Sequence, residues 1–394
     1  MGNPRFKAAQ EFVDKDYDRY VHEIIQLTEI EAPPFKETKR AAAFQQLLKQ
    51  SGLTNVEIDA VGNVTAVRKG TTDGPLVAIA AHLDTVFPEG TNVKVRQLGT
   101  RLMAPGVGDD TRGLAVLLAI VRAFDAAKVQ TKSDILFVAD VGEEGPGDLR
   151  GMKYLFQKGP YKDRIKMFVS LDGAGDGSSI TRGALPSKRY HVTFKGPGGH
   201  SYGSFGIVNP AYAMAKAIDK LSRIQVPSDP RTTFNVGVVS GGTSVNSIPN
   251  EVSMEVDMRS ESEEELAKEN ATFLSLMREA VDEENKARST AEGRIELDAK
   301  LVGDRPGGGT AIGSTMVQAA SAVIREFGMI PHYGIASTDA NIPMSMRIPA
   351  ITIDSGGPGG RAHALDEWID VEKASNLKGI NVAMGVLLSL AGVL

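Results

Sequence analysis

Residues 76–84 read LVAIAAHLD, six apolar residues in succession and then His82, Leu83 and Asp84. A run this short and unbroken predicts a strand buried on both faces of a parallel sheet, with its polar residues at the sheet's carboxyl edge. That edge is where open α/β sheets bind ligands. Three further stretches have the same form. Residues 135–139 run into Asp140 and then Glu143 and Glu144; residues 167–171 run into Asp172; residues 350–353 run into Asp354 and, after a glycine-rich loop, His363. Four strand ends that deliver histidine and carboxylate to one rim predict a metal site.

The 394 residues exceed one ordinary core and predict two domains or three. A hydrophobic share of 42% and a charged share of 24% match a soluble globular chain. With net charge -5 and no long basic run, nucleic acid is not an expected partner. No membrane span is expected either, because the apolar residues 382–394 are too few to cross and read as a packed final helix. The chain has no cysteine, which excludes disulfides and thiolate chemistry and leaves oxygen and imidazole groups to act. The start MGNPRFKAAQ lacks the apolar segment of a signal peptide, so location stays open between the cytoplasm and export with the signal absent from this chain.

Along the chain, residues 4–30 carry a helical stripe from Phe6 to Leu27, stopped by Pro33 and Pro34. A helix over 36–53, strands at 56–59 and 63–68, and a loop at 70–74 precede the 76–84 strand. Residues 104–113, APGVGDDTRG, lead directly into a helix over 111–124, which puts Asp109 and Asp110 at a helix start whose amides favour carboxylates. Asp110 also has the plainer reading of an N-cap. A helix near 151–156 and the strand ending at Asp172 complete a βαβ-like alternation.

The texture changes near Ser187. Strands at 189–194, 233–239, 252–258 and 294–301 alternate with helices at 210–221 and 262–286, the second opened by the capping box of Ser262 and Glu265. Strand-helix-strand-strand-helix-strand is the order of a ferredoxin-like unit. The expected architecture is therefore α/β: a helix-flanked, mixed but largely parallel sheet formed by residues 1–187 and 303–394, with an inserted α+β ferredoxin-like domain at 188–302.

At this level the chain resembles the M20 co-catalytic zinc peptidases, a family that includes peptidase T, dipeptidases, glutamate carboxypeptidases and N-acyl amino acid deacylases. The resemblance rests on HLD at 82–84, GDDTRG at 108–113, GEEG at 142–145, LDG at 171–173, GGHS at 198–201, NSIPNEV at 246–252 and RAHALDE at 361–367, in this order. It implies that His82 and Asp172 bind one zinc, Glu144 and His363 the other, and Asp109 bridges them across a cis Asp109–Asp110 peptide. Cobalt or manganese would suit the same ligands. It further implies that Asp84 holds His82 by its other ring nitrogen, and that Glu143 is the general base for a metal-bridging water and later protonates the leaving amine. In the inserted lid, His200 would reach the oxyanion, in many relatives from the partner subunit, while Asn246 and Arg259 would hold the substrate backbone or carboxylate. A homodimer through the lid's edge strand and helix is implied as well.

Other residues have plainer readings. His22 and His191 read as structural or solvated, and His332 is left open. The acids at 261–265 and 282–284 read as a solvated helix face, with which Arg259 could pair instead of substrate. Residues 308–315, GGTAIGST, mimic a phosphate loop but place Ser314 where the lysine belongs, and the glycines at 173, 175 and 177 fail the dinucleotide spacing. The resulting expectation is a two-zinc metallopeptidase acting on a small peptide, with Asp172 leaning the resemblance toward an aminopeptidase of di- or tripeptides. A carboxypeptidase or N-acyl amino acid deacylase is the alternative, and a catalytically silent binding protein on the same fold is a further one.

Overall fold

The computed structural model describes residues 2–72 and 75–394. The predicted loop at 70–74 therefore falls partly outside the described residues. The chain forms two compact units, residues 1–184 with 308–394, and residues 185–307.

The first unit is built on Leu76–His82, buried at all seven positions. Ile135–Asp140 and Ile165–Leu171 flank it in parallel, and Ala350–Ile353 continues the parallel set beyond Ile165–Leu171. Antiparallel strands complete the sheet, among them Val64–Arg68 on one side and Ser179–Ala184 on the other. The sheet is thus mixed with a parallel centre. Alternate residues of Leu76–His82 serve two cores: Val77, Ile79 and Ala81 pack with Leu114, Leu117 and Leu118 and with Met384 and Leu387, while Leu76, Ala78 and Ala80 pack with Met152, Leu155 and Phe156. Burial on both faces is why this strand shows no polar alternation.

Three expectations need adjustment. The N-terminal stripe is two helices, Pro4–Lys15 and Tyr17–Thr28, broken at Asp16, and it ends at Thr28, ahead of the prolines. The final helix is Lys373–Ala391, so its 19 residues are long and apolar enough to cross a membrane; 61% of its apolar window is buried in the protein, where it serves as a core helix. The stretch between Asp84 and Asp109, whose Pro88, Gly90 and Gly99 read as a loop, contributes Arg96–Leu98 and Arg101–Met103 to a small antiparallel sheet with Trp368–Asp370 and Gly359–Gly360. That sheet ties the segment leading to Asp109 to the segment carrying His363.

In the second unit four antiparallel strands lie in the order Thr232–Gly241, Glu251–Ser260, Ser187–Lys195, Glu296–Arg305. Helices Pro210–Ser222 and Glu263–Ala287 pack on them through Phe273, Met277, Ala213 and Ala217. This is the ferredoxin-like order. The Ser262 hydroxyl accepts from the Glu265 amide, which satisfies one of the free donors at that helix start. The unit is a few residues longer than the sequence boundaries because Ser187 pairs with both Arg259 and Arg305, so the ladder takes in residues before 188 and after 302.

Arg112, fully buried in the first turn of Thr111–Ala126, donates to the carbonyls of Gly356, Gly357, Pro358 and Asp370. These residues bracket the loop that bears His363. Replacing Arg112 with Leu leaves those carbonyls unpaired in a dry interior, and is expected to cost at least about 3 kcal/mol. A thermal melt of Arg112→Leu should show a clear drop in Tm relative to the wild type.

Candidate metal centre

The parallel strands bring their carboxyl ends together, and the register sets His82 beside Asp140. The His82 ring is held at both nitrogens. Nδ1 lies 3.0 Å from the Asp84 backbone carbonyl and Nε2 lies 2.9 Å from Asp109 Oδ1. A carbonyl only accepts, so the proton belongs on Nδ1 and Nε2 turns its lone pair toward the acids. Asp109 Oδ2 lies 3.1 Å from Nε2 of His363, which is also 3.0 Å from Glu144 Oε1. Asp109 thus offers one oxygen to each histidine.

Three groups of donor atoms are close enough to share an ion: His82 with Asp109 and Asp172, Asp109 with Glu144 and His363, and His82 with Glu143 and Glu144. The first two have one donor residue in common, Asp109. The electrostatics fit a cation. Asp109 and Glu144 find only histidines as ion-pair partners among the described residues. Burial lifts Asp172 well above the ordinary carboxylate range, with Asp109 adding to the effect, and lifts Asp84 to about 6. Against burial, hydrogen bonds with His363 and His82 hold Asp109 down, and the contacts with Asp109 and Glu144 raise His363 to about 10. Carboxylates this crowded repel one another unless positive charge lies among them, as protons on the histidines or as a bound cation. Oxygen and nitrogen donors without sulfur suit a divalent zinc, cobalt or manganese ion.

The residues around this centre do several things that sequence reading did not foresee. Asp84 was expected to grip His82 through its carboxylate, yet that carboxylate is 3.8 Å from Nδ1, beyond hydrogen-bond range. The backbone carbonyl of Asp84 takes the ring proton. The carboxylate instead accepts the amides of Glu143, at 3.0 Å, and Glu144, at 2.9 Å, and so fixes the turn that carries both glutamates. Asp110 occupies the N-cap position without capping: the Asp109–Asp110 peptide is cis, and Asp110 Oδ2 accepts the His82 amide at 3.1 Å. Asp354 leaves the rim altogether, because its carboxylate accepts the amides of Gly177 and Gly356. Asp140 lies buried beside Asp339, a residue that no sequence argument singled out, and burial raises both. Ser314 caps the helix Thr315–Glu326 rather than meeting a phosphate.

Glu367 was also missed, although it closes the RAHALDE stretch. It is 2% exposed, and its carboxylate accepts amides from Gly106, Gly108 and Asp109 at 2.7, 2.8 and 2.9 Å. It thereby fastens the Asp109 loop to the His363 segment.

In the second unit, His200 and Asn246 are neighbours. His200 pairs with Ser247, and the Asn246 carbonyl accepts the Ser201 amide. His200 is exposed, and its Nδ1 accepts from the amides of Tyr202 and Gly203, which leaves the proton on Nε2. Arg259 is elsewhere. It lies near the far end of Glu251–Ser260, and its Nε donates to Asp257 rather than to the acids at 261–265 or 282–284. His22 lies on Tyr17–Thr28, His191 pairs with Glu255 across the sheet, and exposed His332 begins a strand paired with Ser179–Ala184.

An α/β sheet with two donor groups sharing one carboxylate at its carboxyl edge is an arrangement suited to a metal-dependent hydrolase. The chain belongs to peptidase family M20/M25/M40, whose family model matches residues 78–389. It is 25% identical over 384 residues to the uncharacterized protein YqjE of Bacillus subtilis, covering 90% of this chain and 94% of that one. It is 24% identical to a succinyl-diaminopimelate desuccinylase of Burkholderia cenocepacia, covering 81% and 85%. Among solved structures its fold is similar to that of the aminopeptidase PepT of Bacillus cereus, at TM-score 0.72 and 22% identity over 95% of this chain and 98% of that one. It is similar also to YXEP of Bacillus subtilis, a dinuclear metal-binding M20 peptidase, at TM-score 0.67 and 17% identity over 96% and 99%. The protein is a metallopeptidase-family hydrolase of peptide or amide bonds, with candidate metal-ligand residues in place.

If Glu367 positions Asp109, Glu367→Ala should fold and yet hold metal about 10- to 100-fold more weakly. Metal content after dialysis against a graded chelator series would measure this. Wild-type retention in the variant would show that Glu367 is dispensable to the centre.

Proposed function

We propose that this protein is a two-zinc aminopeptidase of di- or tripeptides. The observation that carries the reading is the pair of donor groups with Asp109 in common, one carboxylate oxygen toward each histidine. His82, Asp109 and Asp172 would hold one ion, and Asp109, Glu144 and His363 the other. Bound there, the ions supply a Lewis acid for the scissile carbonyl and lower the pKa of water.

The chain's own groups do the rest. Glu143 and Glu144 are consecutive, and Asp84 pins the amides of both, so one carboxylate can face the ions while the other serves as base. Glu143 takes the proton of the attacking water and passes it to the leaving amine. His200, with its Nε2 proton free to donate, suits an oxyanion, and Asn246 beside it suits the substrate backbone. Arg259 lies eight residues along the strand from Glu251, roughly 26 Å away. A tripeptide extends only about 10 Å. One copy of the lid therefore does not bring His200, Asn246 and Arg259 to one small substrate, which supports a homodimer in which a second copy supplies the His200 and Asn246 pair.

A carboxypeptidase or N-acyl amino acid deacylase is the second reading. The desuccinylase among the relatives favours it, and so do the terminal amino groups of Arg259, which have no bond among the described residues and suit a carboxylate. A catalytically silent binding protein is the weaker alternative, since it would have no use for Glu143 poised beside both donor groups.

Glu143→Gln should lower turnover between about 100- and 10,000-fold while keeping its metal. Mixed with His200→Ala and allowed to exchange subunits, it should recover up to about a quarter of wild-type activity, because half the dimers would own one intact centre. No recovery would place His200 and Glu143 in the same copy.

The peptidase class is tested with zinc-loaded enzyme and one tripeptide in free, N-acetylated and C-amidated forms. Loss of the N-terminal residue from the free and amidated forms alone is expected. Cleavage of the acetylated but not the amidated form would move the assignment to the second reading.

A further inference from the structure

A cavity of about 510 Å³ opens in the first unit, lined in part by residues that stand close in the chain to Asp109 and His363. Met103, Ala104, Pro105 and Leu365 give it an apolar side, and Lys94 and Arg96 give it a cationic one. Both apolar segments run straight into the donor groups. Pro105 stands four residues before Asp109 and Leu365 two residues after His363, and the Ala104 amide donates to the Glu367 carbonyl, joining the two. The volume falls in the range that encloses a small ligand.

The cations here are not equivalent. Lys94 is neutralised by Glu29 at 2.7 Å, Arg361 is paired with Asp366, and the Arg101 guanidinium lies over the Trp368 ring at 4.3 Å. Arg96 has no ion-pair or side-chain hydrogen-bond partner among the described residues. Its strand partner is Met103, so the guanidinium and the apolar wall belong to one two-stranded element. An unpaired surface arginine is ordinary; this one lines a cavity whose apolar side is formed by Met103, Ala104, Pro105 and Leu365. Lys94 already has a counter-charge in Glu29, so Arg96 is the cation of this lining left to attract an anionic group.

We propose that this cavity is a subsite for a short alkyl chain ending in a carboxylate, with the methylenes against Met103, Pro105 and Leu365 and the carboxylate on Arg96. The inference rests on the proposed aminopeptidase or deacylase activity and names its substrate class: an N-terminal acidic residue or a dicarboxylic acyl group on the side of the scissile bond that the cavity serves. A planar guanidinium fork binds a carboxylate bidentately and discriminates against the uncharged amide of the same shape.

The test uses two matched pairs, Glu-Ala-Ala against Gln-Ala-Ala and N-succinylalanine against its succinamide analogue. Binding is measured calorimetrically on zinc-loaded Glu143→Gln protein, and turnover is measured on the wild type. The carboxylate member of at least one pair should bind about tenfold more tightly, and the pair that does so identifies whether a side chain or an acyl group is taken. Adding Arg96→Gln should bring the two members level, and Arg96→Lys should restore part of the difference, with circular dichroism unchanged in both variants. Equal binding within both pairs, or a preference that survives Arg96→Gln, overturns the subsite. A carboxylate preference in binding without hydrolysis of any of the four compounds would overturn the proposed aminopeptidase and deacylase activities and leave the subsite standing, whereas hydrolysis without preference would do the reverse.

Discussion

The structure depends on holding like charges together. Asp84, Asp109, Glu143, Glu144 and Asp172 converge with two imidazoles where parallel strands end, and Asp109 lies between the histidines with one oxygen toward each. Left to themselves these acids would separate or take up protons, as the raised Asp172 and Asp84 indicate. The arrangement makes sense as the mould of a divalent pair, whose charge reverses the sign of every local interaction.

Rigidity comes from the layer beneath. Backbone amides are directed onto carboxylates three times over: onto Asp84 for the Glu143–Glu144 turn, onto Glu367 for the Asp109 loop, and onto Asp110 for His82. Arg112 does the converse, giving its donors to the carbonyls around the His363 loop. Most of these bonds fix loops, and those to His82 and Asp370 fix the ends of strands. Loops carry the donors, and without such anchors their freedom would blur a geometry that metals require to be narrow.

The alternation of cores explains how one strand can support all this. Leu76–His82 buries successive side chains in opposite directions, so the sheet is clamped from both sides and its carboxyl end is positioned to a fraction of a residue. A single-residue slip would exchange the two cores and withdraw His82 from Asp109. The second unit follows a separate logic, a four-stranded antiparallel sheet with two helices, and its interest lies in its ends: His200 and Asn246 near one, Arg259 near the other.

Much of this was legible from local pattern. Apolar runs ending in acids identified the buried strands, the Ser262–Glu265 spacing located a helix start, and the motifs from HLD to RAHALDE nominated His82, Asp109, Glu144, Asp172 and His363, which the fold gathers into two overlapping donor groups. Periodicity and composition are properties of neighbouring residues, and they report burial and element type well. What they do not carry is which oxygen meets which amide across a gap of 59 residues, as between Asp84 and Glu143, or 261, as between Glu367 and Gly106. Hence the sequence by itself determined the sheet, the inserted unit and the donor inventory. Only the tertiary structure decided that Asp84 grips a turn instead of a histidine, that Asp110 leaves its cap for His82, that Asp354 turns away from the rim, and that Glu367 binds the centre together, because each of these is a contact between segments whose separation in the chain says nothing about their distance in space.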